Sequence, residues 1–448
     1  MSTLVSTPPA LERVPIQKET TAGNYFVSNY PPFSFWRPEA IPDFEAALDR
    51  APKQGTGLGV YLHIPFCRKR CHFCYFKVYT DKDSTAIRGY IDAALQEMAS
   101  YASRPFVGGR KPQFVYFGGG TPSFLSVDQL KHLTDGMKSL LAWDEVEEVT
   151  FECEPGTLTD QKLKAIRDIG ITRLSLGVEH FDDHILEING RAHHSKEIAR
   201  AYAFAREVGF PQINIDLIAG MVEETGEKWK ECVRKAIELA PDSVTIYQME
   251  IPYNTTIYRE MKASGKLVAP VADWETKRGW VDYAFGEFER AGYTVNSAYT
   301  VVRDPARTRF IYREQLWAGA DLLSLGVASF GHIGGTHYQN QHDFAPYLSA
   351  IQSGQSPVYR AFTPTAEEGL IREFILQMKL GSVSCAYFRD KFGVDVRAHF
   401  ATPLRTLSNG GFARVEGDRL SLSRQGLLQV DRLLHEFFQP QYRHTRYA

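Results

Sequence analysis

Residues 58–77 read LGVYLHIPFCRKRCHFCYFK, and their order governs how the rest of the chain is understood. Val60, Tyr61, Leu62 and Ile64 make an apolar, β-branched and aromatic run of strand type, which Pro65 stops. Cys67, Cys71 and Cys74 follow in the spacing C-x3-C-x2-C. Thiols this close on one loop are badly placed to bridge one another, but they can converge on one soft metal centre, because thiolates suit zinc and iron–sulfur clusters. A closed zinc site wants four protein ligands and a fully ligated cubane wants four cysteines, so a triad leaves one iron free to hold a small molecule. The competing readings are a zinc knuckle completed by His63 or His72, or plain buried thiols. No other C-x2-C pair completes a knuckle, and Cys153, Cys232 and Cys385 stand singly.

Outward from this loop, strand and amphipathic helix alternate as far as about residue 297. Ile87, Tyr90, Ile91, Ala94, Leu95, Met98 and Tyr101 fall on one helical face, as do Val127, Leu130, Leu133, Met137 and Leu140. Between helices lie strand-like runs at 114–117, 149–153, 173–176, 213–218 and 244–249. With 58–64 they make six strands, and the alternation predicts an α/β fold with a parallel sheet whose functional ends are the carboxyl ends of the strands. A curved, partial (β/α)6 barrel is the natural closure, and an open sheet satisfies the same pattern.

Glycines and polar residues gather past those ends. Gly118, Gly119, Gly120, Thr121 and Pro122 follow one strand and precede a helix started by Ser126. Glu152 and Glu154, in FECEP, are two residues apart and so share one side of their strand; buried there, they require cationic or hydroxyl partners. Further strand ends supply Glu179 and His180, Arg191 and His193, and Asp216 and Gly220. Tyr247, Gln248 and Glu250 are additional lumen candidates. His180 and His193 read more readily as structural histidines than as proton donors.

The cysteine triad followed by an aromatic, together with GGGTP, resembles the radical S-adenosylmethionine (SAM) superfamily. Tyr30-Pro31 resembles the Tyr-Pro element near the start of oxygen-independent coproporphyrinogen III oxidases, and the likeness to that branch runs from about Tyr30 to the C-terminus. The resemblance implies a radical SAM barrel and a [4Fe-4S] cluster on Cys67, Cys71 and Cys74, with the open iron chelated by SAM. The reduced cluster would cleave SAM to a 5′-deoxyadenosyl radical that abstracts hydrogen from a substrate. It further implies cofactor contacts at Tyr61, Phe73, Gly118, Gly119, Gly120, Thr121, Glu152, Glu179, Arg191 and Asp216, the glycine loop binding the SAM amino group through its backbone. The branch usually has Gln where Glu179 stands, a departure that adds negative charge. An external electron donor such as flavodoxin or ferredoxin is implied as a partner.

Authentic oxidases of this branch carry a fourth cysteine two places after the third; Phe76 stands there instead. The C-x-Phe form resembles radical SAM heme chaperones, anaerobic heme-degrading methyltransferases and class C methyltransferases. The chaperones' H-N-x-x-Y-W motif has its nearest counterpart at residues 312–317, which keep an aromatic end, Trp317, but lack the His and Asn. Three outcomes therefore stay open. One is coproporphyrinogen oxidase-like decarboxylation of a tetrapyrrole propionate using one SAM. Another is C-methyl transfer or cyclopropane formation using two, and the third is heme binding with little catalysis.

The flanking regions add less. Residues 24–42 are dense in proline and aromatics, predicting an extended arm whose Tyr25, Phe26, Tyr30, Phe33, Phe35 and Trp36 bury themselves as a strap or as a flap over the active-site mouth. Residues 1 to about 22 are expected to be poorly ordered. Residues 299–317 are aromatic and arginine-rich, a partner or substrate surface or a solvated loop; Arg307, Arg309 and Arg313 would suit a flat, carboxylate-bearing tetrapyrrole. Residues 322–341 resemble a stretch near the second cofactor or substrate, with Ala328, Ser329, Gln339 and Asn340 as lining candidates. From Thr363, helices, a hairpin turning near Gly417 and a last helix to about Phe438 suggest a winged-helix-like module serving as lid or platform. The expected divisions are an arm at 1–50, a core at 51–300, a barrel extension at 301–362 and a C-terminal domain at 363–448.

A composition of 44% hydrophobic and 23% charged residues over 448 positions is that of a soluble globular protein. A net charge of -2 gives no footprint for nucleic acid. No apolar run reaches the roughly 18 residues of a membrane span, and the N-terminal residues lack a signal-peptide layout. Six cysteines, half of them in one loop, suit a reducing compartment, so a cytoplasmic location is expected.

Overall fold

The computed structural model describes residues 25–263, 271–443 and 445; the expectation for residues 1 to 22 lies outside them. Six parallel strands stand in sequence order: β1 (Leu58–Ile64), β2 (Phe114–Gly119), β3 (Glu148–Cys153), β4 (Arg173–Glu179), β5 (Gln212–Ala219) and β6 (Ser243–Gln248). Their outward side chains are apolar: on β4, Leu174, Leu176 and Val178 are fully buried in the core beneath the helices. The alternate residues, Arg173, Ser175, Gly177 and Glu179, face the lumen of the curved sheet. Register places Glu152 opposite Ser175 and Gly177 opposite Asp216, so the acids of neighbouring strands gather at one level.

The predicted helices form with their expected faces inward. Ser126 caps the helix Val127–Leu140 through a reciprocal box with Gln129. On Ser84–Ala102 the apolar stripe is buried, but Glu97 is buried with it, accepting from Tyr347 Oη (2.6 Å), Asn340 Nδ2 (2.6 Å) and Gly326 N (2.9 Å).

The sheet extends beyond the expected six strands. β7 (Thr294–Val295) and β8 (Thr300–Val302) run antiparallel on the β6 side, whereas β9 (Asp321–Leu325) pairs parallel with β1. β9 in turn carries the antiparallel strands β10 (Phe330–Ile333), β11 (Thr336–Asn340) and β12 (Val358–Phe362). All twelve form one sheet, with β12 and β7 as its edges, so the barrel is partial.

A second apolar core lies in the C-terminal part, around the helix Ala366–Met378 and a three-stranded sheet of β13 (Ser382–Ser384), β14 (Ala413–Glu416) and β15 (Arg419–Leu422). Val27 and Tyr30 of the arm belong to this core. The arm is therefore a strap between the two parts: Tyr30 packs on Phe438 and Tyr442, and Trp36 stacks on His337. It is not extended throughout. Short 3-10 turns occupy Phe33–Phe35 and Pro38–Ala40, and a helix starts at Ile41, because Pro42 in its first turn forgoes an N–H that has no intrahelical partner.

Lys379, fully buried, clasps strap to C-terminal part. Its ammonium lies 2.7 Å from Val27 O, 3.1 Å from Asp431 Oδ1 and 3.3 Å from the centre of the Phe26 ring. Residues 299–317 are not a solvated loop; they form β8, a turn and the helix Ile311–Trp317.

Candidate functional site

The cysteine loop leaves β1 at Pro65 and is closed at its base by two backbone hydrogen bonds, Cys67 N to Tyr79 O (3.0 Å) and Tyr79 N to Pro65 O (2.7 Å). Farther along it is tied to the segments that follow β4 and β6 by His72 N to Asn189 O (3.0 Å) and Asn254 Nδ2 to Tyr75 O (2.8 Å). Two donors aim at sulfur: Thr121 Oγ1 lies 3.3 Å from Cys67 Sγ, and Arg191 Nη1 lies 3.3 Å from Cys71 Sγ. Burial pushes the Cys67 thiol up to about 11 and the Cys74 thiol up to about 12. Without a cation these thiols hold their protons at neutral pH, so metal binding must displace them. Among the described residues no three His, Cys, Asp or Glu side chains converge on a single ion. A cubane takes each thiolate on a separate iron. The donor set, three soft ligands with a hydroxyl and a guanidinium turned toward the sulfurs, fits an iron–sulfur cluster.

The glycine loop packs against the cysteine loop. Gly120 N donates to Ile64 O and Thr121 N to Phe66 O, each at 2.8 Å. A Cβ on Gly120 would fall 2.8 Å from Ile64 O, so only glycine allows this approach. Gly119 has φ +111°, and a Cβ there would enter the His63 ring. Gly118 and Gly119 end β2 rather than following it.

The two FECEP acids separate. Glu152 lies in the lumen, accepting from Tyr116 Oη (2.6 Å) and Gly119 N (3.1 Å). Burial raises it to about 7, the Asp216 charge adding to the effect. Glu154 lies past the strand end, where β3 has given way to a 3-10 turn that it caps through Gly156 N. Burial would raise Glu154, but His193, Arg191 and Arg68 outweigh that and hold it below the usual range. The shared side expected from period-two spacing is lost because Glu154 is no longer in the strand.

Glu179 ends β4 in the left-handed region, φ 63°. Burial raises it to about 7 despite Arg191, whose guanidinium is 3.5 Å away. Arg191 thus joins Cys71, Glu179 and Gly177 O (2.6 Å), and it offsets the added acid. Asp216 accepts from Ser175 Oγ and Asn214 Nδ2, each at 3.0 Å, and burial raises it. Tyr61 stacks on Tyr116 and reaches His63 Nδ1 (3.1 Å), while Phe73 packs on Ile185, Ile218, Met221 and Met249. Tyr75, Phe76 and Tyr247 are 41%, 43% and 43% exposed at the mouth.

Several candidates are engaged by other groups of the protein. His180 faces Glu224 (3.2 Å) and His193 bonds Glu154 and Val178 O. Glu250 accepts from Phe26 N (2.6 Å) and Gln248 donates to Leu428 O (3.3 Å), so both hold the strap and the C-terminal part. Asn340 and Ser329 are spent on Glu97 and Gly326 O. Gln339 accepts from Arg360 Nε (2.6 Å), and Ala328 adopts φ 60°. Arg307 is exposed and Arg309 pairs with Glu314 (2.9 Å), which leaves Arg313 alone directed inward. Sequence reasoning missed Tyr116, Arg173 and Tyr312; only the inward alternation of β2 and β4 hinted at the first two.

Residues 61–236 match the radical SAM superfamily. The chain carries a radical SAM domain. Beyond it, the chain is similar to the heme chaperone HemW of Bacillus subtilis, 28% identical over 82% of this chain and 96% of that protein. It is similar also to the oxygen-independent coproporphyrinogen III oxidase of Synechocystis, 24% identical over 90% of each. The solved structure of the Escherichia coli coproporphyrinogen III oxidase HemN, a radical SAM enzyme, superposes with a TM-score of 0.80, covering 92% of this chain and 96% of that one at 23% identity. The fold is thus a mixed α/β radical SAM fold like that of HemN. A radical SAM domain implies a [4Fe-4S] cluster and SAM. No helix among the described residues is long and apolar enough to cross a membrane.

Proposed function

We propose that this chain is a radical SAM enzyme acting on a tetrapyrrole held in the barrel lumen. The observation that carries the reading is the meeting, at the carboxyl ends of the strands, of Cys67, Cys71 and Cys74 with the glycine loop, Arg191 and buried acids. When bound, a reduced [4Fe-4S] cluster with SAM supplies a 5′-deoxyadenosyl radical able to take hydrogen from carbon. The chain's own residues prepare that site. Thr121 and Arg191 donate toward Cys67 and Cys71 and so favour the thiolate forms. Gly119 and Gly120 bring backbone close to the cofactor region, and Glu152 and Glu179 offer carboxylates poised near neutrality to a cationic ligand. Tyr61, Tyr116 and Tyr312 form an aromatic wall, the first two rings stacked and the third tilted, along which a flat ligand can lie.

The tetrapyrrole draws support from the names of the relatives, since coproporphyrinogen and heme are both tetrapyrroles. A second reading, heme binding with little catalysis, is favoured by Phe76 in place of a fourth cysteine and by the match to nearly the full length of the B. subtilis chaperone. One anaerobic experiment separates the outcomes: reconstituted protein is given SAM, dithionite and coproporphyrinogen III, and separately titrated with heme. Formation of 5′-deoxyadenosine with loss of propionate carboxyls supports oxidation by one SAM. S-adenosylhomocysteine appearing alongside supports methyl transfer by two. Heme binding with neither product supports the chaperone reading and overturns the enzymatic one.

A further inference from the structure

At the floor of the lumen, where the strands begin, two guanidiniums face one ring. Arg173 opens β4, is 3% exposed, and lies 4.0 Å from the centre of the Phe310 ring. It has no hydrogen bond and no ion pair among the described residues. Arg313, 5% exposed, stands 5.5 Å from the same ring. Its Nη1 donates to Ser297 Oγ (3.0 Å) and Thr300 Oγ1 (3.2 Å), but Nε and Nη2 are buried without a partner. Burial lowers Arg313 to about 10, which leaves it cationic at neutral pH.

The acids that feel the Arg173 charge, Glu148, Glu152 and Asp216, make no hydrogen bond to either guanidinium among the described residues. Glu148 is occupied by Ile311 N (2.9 Å), Tyr312 N (3.3 Å) and Thr150 Oγ1 (2.9 Å), and it makes no ion pair with either arginine. Buried donors with no acceptor are costly, and each calls for an explanation. An acceptor brought by a ligand is one.

The floor is continuous with the site above it. Phe310, Tyr312, Tyr116 and Tyr61 follow one another at centroid spacings of 5.7, 4.5 and 5.9 Å, and Tyr116 reaches Glu152. Tyr247 interacts electrostatically with Arg313 below and with Asp216 and Glu152 above.

We propose that Arg173 and Arg313 form an oxyanion subsite on the lumen floor that takes one carboxylate of a planar substrate. Arg313 keeps two buried donors unanswered, Arg173 meets a ring rather than an acceptor, and a carboxylate matches the guanidinium fork. The aromatic wall then carries the flat body toward Glu152. This inference rests on the proposed function, because it places the substrate in the same lumen.

The test is a fluorescence titration of the anaerobically reconstituted full chain, with SAM present, using coproporphyrin III and its tetramethyl ester as probes. Wild-type protein should bind the acid at least about tenfold more tightly than the ester. Arg173→Gln and Arg313→Gln should each shrink that ratio several-fold, with the iron–sulfur absorbance reporting that the protein is folded. Should either fail to fold, Arg173→Lys and Arg313→Lys keep the charge and lose the fork, and the ratio should fall part-way. Equal binding of acid and ester by wild-type protein, or an undiminished ratio in the variants, overturns the subsite and leaves the proposed function standing. Binding of neither probe by protein that still cleaves SAM overturns the tetrapyrrole reading and the subsite together.

Discussion

SAM affinity should climb between about pH 6 and about pH 8, and the lumen acids set the size of the climb. Glu152 and Glu179 are each raised to about 7, in both cases chiefly by burial. A group with such a pKa is roughly one-tenth ionised one unit below it and nine-tenths ionised one unit above. SAM is cationic overall and binds better to the ionised form, so affinity rises with pH and protons leave on binding. One such acid gives about a tenfold rise across this window, about 1.4 kcal/mol, and two give up to about a hundredfold. Asp216, also raised, is coupled to both, so the midpoints belong to the set rather than to one residue. The assay is calorimetric titration at about pH 6, 7 and 8 in buffers of different ionisation enthalpy, which counts the protons released. Glu152→Gln keeps an acceptor for Tyr116 and removes one titration, so its rise should be about tenfold smaller than wild type. Affinity that stays flat without proton release would refute the reasoning, and a Glu152→Gln profile parallel to wild type would remove Glu152 from the account.

Replacing Cys67, Cys71 or Cys74 by Ala should abolish the brown absorbance near ~400 nm in reconstituted protein; stoichiometric zinc without sulfide in the wild type would instead support the knuckle. Gly119→Ala forces a Cβ to 2.5 Å from the His63 ring at φ +111°, which should cost about 1–3 kcal/mol and displace a donor of Glu152. Unchanged thermal midpoint and SAM binding in that variant would count against the tight packing. Lys379→Met strands Asp431 in the clasp, where truncating one partner of a buried pair costs about 3–5 kcal/mol. The low end is expected, because Asp431 keeps Val27 N and Tyr299 Oη. A urea midpoint equal to wild type would show the clasp to be idle.

Local chemistry made much of this molecule readable. The cysteine spacing, the period-two strands and the 3.6-period helices depend on neighbours within a few residues, so β1 occurs where its composition places it, and Ser126 caps the helix that follows the glycine loop. The radical SAM assignment came from such short motifs. Tertiary structure decided what no local rule reaches. Glu152 and Glu154 differ because one strand ended a residue sooner than the spacing implied. The strap lies between two cores because Tyr30 found aromatic partners some 400 residues away, Phe438 and Tyr442, and Val27 joined the same cluster. Arg173 and Arg313, far apart in the chain, face one ring because a helix after β8 returns under the strands and is held there by Glu148. Sequence alone determined which residues can bind a soft metal and approach a cofactor, since that is a property of side-chain type and spacing. Which acids share a lumen, and which cations are left there with donors unanswered, follows from long-range packing, because burial and electrostatic neighbours exist only once the chain has closed on itself.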